Sequence, residues 1–552
     1  MNAYPFSPAG RQAALAAMAG GPVDLLIIGG GITGAGLARD AVLRGLRVAL
    51  VEQHDFAYGT SSRSSKLVHG GVRYLAQLNL ALVRESARER KVLSHIAPHL
   101  VHPLPCLLPV YPGESLAKYQ VAFFLLDQLA GAGPGEAHAV LPGEAVATRE
   151  PMLRRPVRAG LTYGEFITDD SRLTLENALS AALHGALVVN HAMVTAFRSA
   201  GERITGAMVC DTLSGREYSV TARVVVNATG PWAAATLAAS GLPTPKRLLL
   251  SKGIHLLFAA DRLPVTGGVM LHGPDGREGF AIRRWQYTYV GTTDVAHPEA
   301  IDAPQADAAA IADLLRLVEA MFPGAGLTAD DVLATWAGLR PLIAEPGKSA
   351  RDTSRHDAVW RIRPGLLTVA GGKLTTYRPM AARIMARVAA ELGERLGDNG
   401  RTATVLLPGG DLGAGGYAGY QRSMLATLAH HGIAGATAER LTWLYGTWLD
   451  ELLAYGEAWL QPLAPGFPAL RGEVRLAVER GMALELADFM DRRAALLLFS
   501  PGRGLAAAPE AARVMAGLLG WSEAERERQL AAYRALAKGH GLPAELATVP
   551  AD

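Results

Sequence analysis

The chain has 552 residues, 49% of them hydrophobic and 19% charged, with a formal net charge of +3. That length predicts two or three domains, and the composition is that of a soluble globular chain and excludes a disordered one. No dense basic run interleaved with aromatics occurs, which argues against a nucleic-acid partner. Cys106 and Cys210 alone, with no CxxC spacing, leave no disulfide framework or zinc cluster to expect.

The cations are skewed, 46 Arg against eight Lys, and three of the lysines (Lys66, Lys252, Lys373) fall inside motifs taken up below. A weak, dispersed positive charge suits small phosphorylated anions or an anionic membrane surface. The first twenty residues lack a basic region followed by an apolar core, so no signal peptide is expected and a reducing cytoplasmic setting fits. No apolar segment approaches the ~20 residues needed to span a bilayer. The most lipid-like piece, residues 121–126, reads as a core helix or an interfacial one.

In chain order, "VDLLIIGGG" (23–31) predicts a strand buried on both faces, "ITGAGLARDAVLRGL" a helix, and "RVALVEQ" a second strand closing on an acid. The glycine- and proline-rich 131–144 predicts a loop. "ARVVVNATG" (222–230) is another strand, followed by Pro231 and Trp232, and residues 245–300 alternate as antiparallel strands do. "GLLTVAGGK" (365–373) brings the chain back to the nucleotide fold. Residues 407–419 read as a linker, and from about 417 the pattern is helical, "EVRLAVERGMALELADFMDRRAALLLF" included.

Gly29, Gly31 and Gly34 form G-x-G-x-x-G between a buried strand and a helix, with Glu52 at the end of the next strand, 21 residues after Gly31. Each part has a task in dinucleotide binding. Gly29 makes the tight turn, Gly31 lets backbone approach a pyrophosphate, and Gly34 allows close helix–strand packing. The helix N-terminus then offers unpaired N–H groups to phosphate, and Glu52 can accept from ribose hydroxyls. Two further glycine-edged strand ends, "NATGPW" (227–232) and "GGKLTTYR" (371–378), suit the same nucleotide and favour FAD over NAD. Thr375 and Thr376 are expected as helix caps as well as cofactor contacts.

With "GTSSRSSKLVHGGVRYL" (59–75), "SKGIHLL", "VGTTD", "GLRPL" and "DFMDRR" added, the sequence resembles the bacterial FAD-dependent, quinone-linked glycerol-3-phosphate dehydrogenases, within the D-amino-acid-oxidase-like flavoproteins. The resemblance runs from about 20 to about 540 and is looser across 96–160, 255–335 and the C-terminal part. It implies an α/β chain with α+β elements. A Rossmann-like FAD-binding domain (20–95, 160–245 and 335–400) is interleaved with an antiparallel-sheet substrate domain (96–159 and 246–334), and a C-terminal helical domain covers 410–545. Around FAD it implies Gly29, Gly31, Gly34, Glu52, Thr60, Ser61, Ser62, Lys66, His69, Gly70, Gly71, Gly230, Gly371, Gly372, Leu374 and Thr375. Along the substrate pocket it implies Arg73, Tyr74, His255, Arg340, Arg351 and Lys373. The implied reaction is oxidation of sn-glycerol 3-phosphate to dihydroxyacetone phosphate, with electrons passed to a membrane quinone by a protein lying on the inner face of the cytoplasmic membrane.

The residue types fit that chemistry. Arg forks and a Lys point charge recognise a phosphate dianion. Oxidising a secondary alcohol needs a proton acceptor, for which His255 is the candidate, with a structural histidine as the alternative reading. Arg340 and Lys373 would stabilise developing negative charge. Three other readings stay open: an oxidase using O₂, a relative acting on an amine or amino acid, and a non-catalytic FAD-binding regulator. Arg492 and Arg493 are expected in salt bridges to nearby acids. The oligomeric state is left open, a homodimer included.

Overall fold

The computed structural model describes residues 3–70, 80–131, 137–244, 246–273, 276–297, 301–344, 356–397 and 400–546. Five parallel strands form the centre of the first sheet, in the order Leu366–Ala370, Glu217–Asn227, Val23–Ile28, Val48–Val51 and Leu187–Val189. Ala358–Arg363 adds an antiparallel edge. Both faces of this sheet are covered, which is why its strands are continuous apolar runs. Leu25 and Ile27 pack toward the helices Ile32–Leu43, Asp170–Leu183 and Tyr377–Leu392. Leu26 and Ile28 pack on the other side, against a layer built from Ala192–Ala200, Arg203–Asp211 and the start of Glu217–Asn227.

The segment before Val23 folds as a helix, Pro8–Gly20, started by Ser7 accepting from the Gly10 N–H. Its Leu15 and Met18 join the same apolar layer. Arg11, which interrupts the Ala-rich stretch in the sequence, is buried and paired with Asp211 at 2.6 Å.

Among the described residues the second sheet has ten strands, with Leu248–Ala259 paired to both Tyr287–Gly291 and Ala334–Ile343. Two of its strands, Ala159–Thr168 and Ala334–Ile343, fall largely in segments that the sequence reading places in the nucleotide domain. The reason is length. A ten-residue strand starting near each proposed boundary completes its pairing in the second sheet before the chain crosses over, at Asp170 and at Ala358. Part of the loop expected over 131–144 is also structured: Ala139–Pro142 pairs with Ala159–Thr168, and Gly143–Arg149 is helical.

Beyond residue 410 the named elements are helical. The long helix suggested by "EVRLAVERGMALELADFMDRR" is broken. It ends at Glu479, passes Gly481 and Met482 (φ +50°), and resumes as a wide π-type turn, Asp488–Arg493. Phe489, Met490, Leu496 and Phe499 from this region share one core with Leu257, Tyr289 and Trp336 of the second sheet.

Candidate active site

The first strand–helix junction is shaped by glycine. Gly29 has φ +108°, and a Cβ there would lie 2.7 Å from the Ala228 carbonyl oxygen. A Cβ on Gly34 would lie 1.9 Å from the Gly29 oxygen, so helix Ile32–Leu43 can approach its strand only without one. That helix has no side-chain cap at Gly31, and Ser61 Oγ accepts from the Ile32 N–H at 2.9 Å. Glu52 accepts from the Gly30 and His54 amides at 2.6 and 2.9 Å. Burial raises its pKa, and those two amides oppose the rise.

The second junction follows Asn227, whose side chain donates to the Ala233 carbonyl and accepts from Thr229, fixing the turn through Gly230. The third follows Ala370. Helix Tyr377–Leu392 starts five residues beyond Gly372, and its N-cap position, Thr376, makes no side-chain cap bond. Thr375 is buried, and its hydroxyl accepts from the His69 N–H at 3.3 Å. The expected capping role of the two threonines is therefore not what their side chains do.

Gly31, Gly230 and Gly372, about 200 and 140 residues apart in the chain, line one cavity of about 630 Å³. Its walls also include Gly29, Glu52, Thr60, Ser61, His69, Gly371, Lys373, Leu374, Thr375 and Arg340. Arg340 lies opposite Ser251 in the strand ladder. It donates to Thr292 Oγ1 at 2.9 Å and to the Thr293 carbonyl at 3.2 Å, with Asp294 Oδ1 at 3.4 Å. These contacts hold its guanidinium at the wall.

Other residues singled out in the sequence lie off the walls. Gly34 is inside the helix. Ser62 donates to backbone carbonyls of Tyr58 and Gly59, and the Gly70 amide donates to Glu165 Oε2. Lys66 is buried and paired with Asp170 at 2.5 Å. His255 is buried behind Ser65, with Nε2 2.8 Å from Ser65 Oγ, and it is Ser65 that lines the cavity. Burial, and then the charges of Arg340 and Lys66, hold the His255 pKa well below the ordinary histidine value. Gly71, Arg73, Tyr74 and Arg351 lie outside the described residues.

The cavity also has walls that residue-by-residue reasoning did not single out: Thr292, Thr293 and Asp294, Ser65, Trp232, and an Arg277–Asp313 pair at 3.0 Å. The first three sit in "VGTTD", a motif quoted for the resemblance without a role; Arg277 and Asp313 carry no comparable signal.

A sheet doubly covered in this way, with three glycine-edged strand ends meeting at one cavity, defines a flavin-nucleotide oxidoreductase. Residues 24–388 match the family of FAD-dependent oxidoreductases, and residues 400–526 match the C-terminal domain of alpha-glycerophosphate oxidase. The aerobic glycerol-3-phosphate dehydrogenase of Staphylococcus saprophyticus is 36% identical over 514 residues, covering 91% of this chain and 92% of that protein. That of Bacillus subtilis is 37% identical over 514 residues, covering 90% and 92%. The structure of the glycerol-3-phosphate dehydrogenase from Bacillus halodurans complexed with FAD superposes with a TM-score of 0.81 at 33% identity, covering 97% of this chain and 98% of that one. The chain belongs to the FAD-dependent glycerol-3-phosphate dehydrogenase family, and its cofactor is FAD.

Proposed function

We propose that this chain oxidises sn-glycerol 3-phosphate to dihydroxyacetone phosphate and passes the electrons to a membrane quinone. The observation that carries the proposal is the presence of Arg340 and Lys373 on the walls of the cavity shared by the three glycine junctions. A phosphate dianion needs such cations, and Arg offers it a planar fork. FAD supplies the two-electron acceptor; binding the substrate and moving its proton fall to the protein. In this reading Arg340, braced by Thr292 and Thr293, orients the substrate. Neutral His255 is in its proton-accepting form, and its route to the cavity is through Ser65 Oγ. Anaerobic mixing of the holoprotein with sn-glycerol 3-phosphate should bleach the flavin absorbance. An unchanged spectrum would refute the substrate. Reduction of a ubiquinone analogue in preference to hydrogen peroxide release is the expected acceptor result.

Contact with an anionic bilayer is part of the same reading. Among the described residues no helix is long and apolar enough to cross a membrane. Helix Leu116–Ala130 instead exposes Val121, Phe124 and Leu125, 61%, 56% and 46% accessible. It packs on helix Leu80–Ile96, which exposes Arg84, Arg88 and Lys91 along one face. The carboxylates of the two helices are engaged elsewhere: Glu85 with Arg383, Glu89 with Arg378 and Asp127 with His138. An apolar stripe beside cations suits an interfacial helix on acidic lipid. Sedimentation with phosphatidylglycerol vesicles should fall sharply in Phe124→Asp; undiminished binding would place the contact elsewhere.

A further inference from the structure

The motif "DFMDRR" is not used by the proposed reaction, yet its charged side chains are almost wholly buried. They meet the segment that follows Glu52. In that segment Tyr58, Gly59, Thr60 and Ser61 line the cavity, and a charged residue stands on either side of them, Asp55 before and Arg63 after. Both are balanced across the domain boundary. Asp55 accepts from Arg492 Nε at 2.6 Å and from Arg493 Nη2 at 2.8 Å. Arg63 donates to both oxygens of Asp491, at 2.7 and 3.1 Å. The set is closed by Asp488, which accepts from Arg492 Nη2 at 2.7 Å and lies 3.0 Å from His191 Nε2. The Arg492 guanidinium also lies 5.8 Å from the Tyr58 ring centroid.

Within the nucleotide domain Asp55 also accepts from Asn190, a neutral donor, at 2.9 Å. In a low-dielectric interior, removing one partner from such a set leaves an unbalanced charge, so the pieces stay assembled together or not at all. Burial works to raise the Asp491 pKa, and Arg63 and Arg492 outweigh it and hold it well below the usual carboxylate range. Asp491 therefore faces Arg63 as a carboxylate at neutral pH.

We infer that the Asp488–Arg493 turn of the C-terminal domain is part of the cofactor-holding apparatus: it clamps the 55–63 segment by its two charged ends, so that FAD binding and docking of the C-terminal domain reinforce each other. Asp491 and the Arg492–Arg493 pair are positioning residues, acting on FAD through the 58–61 backbone and through Arg63. The inference rests on the family's cofactor and not on the choice of substrate or acceptor.

Linkage makes the effect reciprocal, which supplies two tests. Asp491→Asn keeps the shape and removes the charge facing Arg63; the FAD dissociation constant, read from recovery of flavin fluorescence on release, should rise at least tenfold. Hydrogen exchange on the unaltered protein gives the second. Withdrawing FAD should speed exchange in the 484–493 amides as well as in 52–63. An Asp491→Asn protein that melts earlier but holds FAD with unchanged affinity would reduce the motif to a structural role and overturn the clamp. So would exchange at 484–493 that is indifferent to FAD, a result that stands even if the variant does not fold. Wild-type protein that takes up no flavin would instead refute the cofactor reading itself.

Discussion

His255 and Trp336 lie ring upon ring, centroids 4.7 Å apart and planes 8° from parallel. The two are directly opposite in neighbouring strands, and Gly291 faces His255 from the other side, where a Cβ would be 2.1 Å from the imidazole. The ring is thus sealed on both faces, with Ser65 at its Nε2 edge.

That enclosure has a pH consequence. An unfolded histidine titrates near ~6.5, whereas folded His255 stays neutral well below that. Between the two values the unfolded chain binds a proton that the folded one does not. The contribution of His255 to stability is therefore complete above ~6.5 and is lost as the pH falls below it, by up to ~1.4 kcal/mol per pH unit. Urea unfolding between neutrality and mild acid should show a shallower decline in His255→Gln than in the wild type. Equal slopes would mean that the imidazole is accessible to protons in the folded protein.

Replacing Arg340 by Ala should lower the rate of flavin reduction by glycerol 3-phosphate on the order of 100- to 1,000-fold, with FAD still bound. The guanidinium contacts Thr292, Thr293 and Asp294 at the cavity wall. Rapid-mixing absorbance reads the rate, and the flavin-to-protein ratio reads retention. Joint loss of flavin and rate would assign Arg340 to the cofactor instead.

Two glycines three residues apart should separate cofactor from packing. At Gly31 a Cβ would meet, among the described residues, only Ser61 Oγ, at 3.2 Å, and the residue lines the cavity. Gly31→Val should fold, by circular dichroism, yet purify colourless. Gly34→Ala drives a methyl into the Gly29 carbonyl and should fail to fold at all. A yellow Gly31→Val protein would remove the first turn from the cofactor site.

Lys66 and Asp170 form a buried pair, 2% and 0% exposed. Lys66→Met strands the carboxylate and should cost about 3–5 kcal/mol, while adding Asp170→Leu should recover much of that loss. Chemical denaturation of both variants measures it. A double variant no more stable than the single one would mean that Asp170 is needed for reasons other than Lys66, such as the Ser64 amide and hydroxyl it accepts from at 3.0 and 2.6 Å.

The nucleotide turn was legible because its information is local: strand, glycines, helix and acid fall within thirty-odd residues, and each glycine has a steric task. The alternation of "SKGIHLL" puts Gly253 and His255 on one strand face, but only tertiary structure shows that Gly253 borders the cavity while Ser65 and Gly291 cover His255. Lys66 lay in a recognisable motif, yet its partner is 104 positions away. The ionic set around Asp55 was illegible for the same reason: Arg492 is 437 positions distant, and nothing in "DFMDRR" names an acid so remote. The expected salt bridges to nearby acids are found for Arg492, with Asp488 and Asp491, whereas Arg493 pairs with the distant Asp55 instead; the burial of both could not be read from charge pattern alone.

The five parallel strands come from residues 23–28, 48–51, 187–189, 217–227 and 366–370. A ribosome must therefore release about two thirds of the chain before the central strand order can close, and Arg492 and Arg493 emerge later still. Until then Glu217–Asn227 lacks its neighbour Leu366–Ala370 on one side, an open apolar edge in a crowded cell. Truncating the gene before those late codons should give insoluble, apoprotein-like product instead of a smaller working flavoprotein.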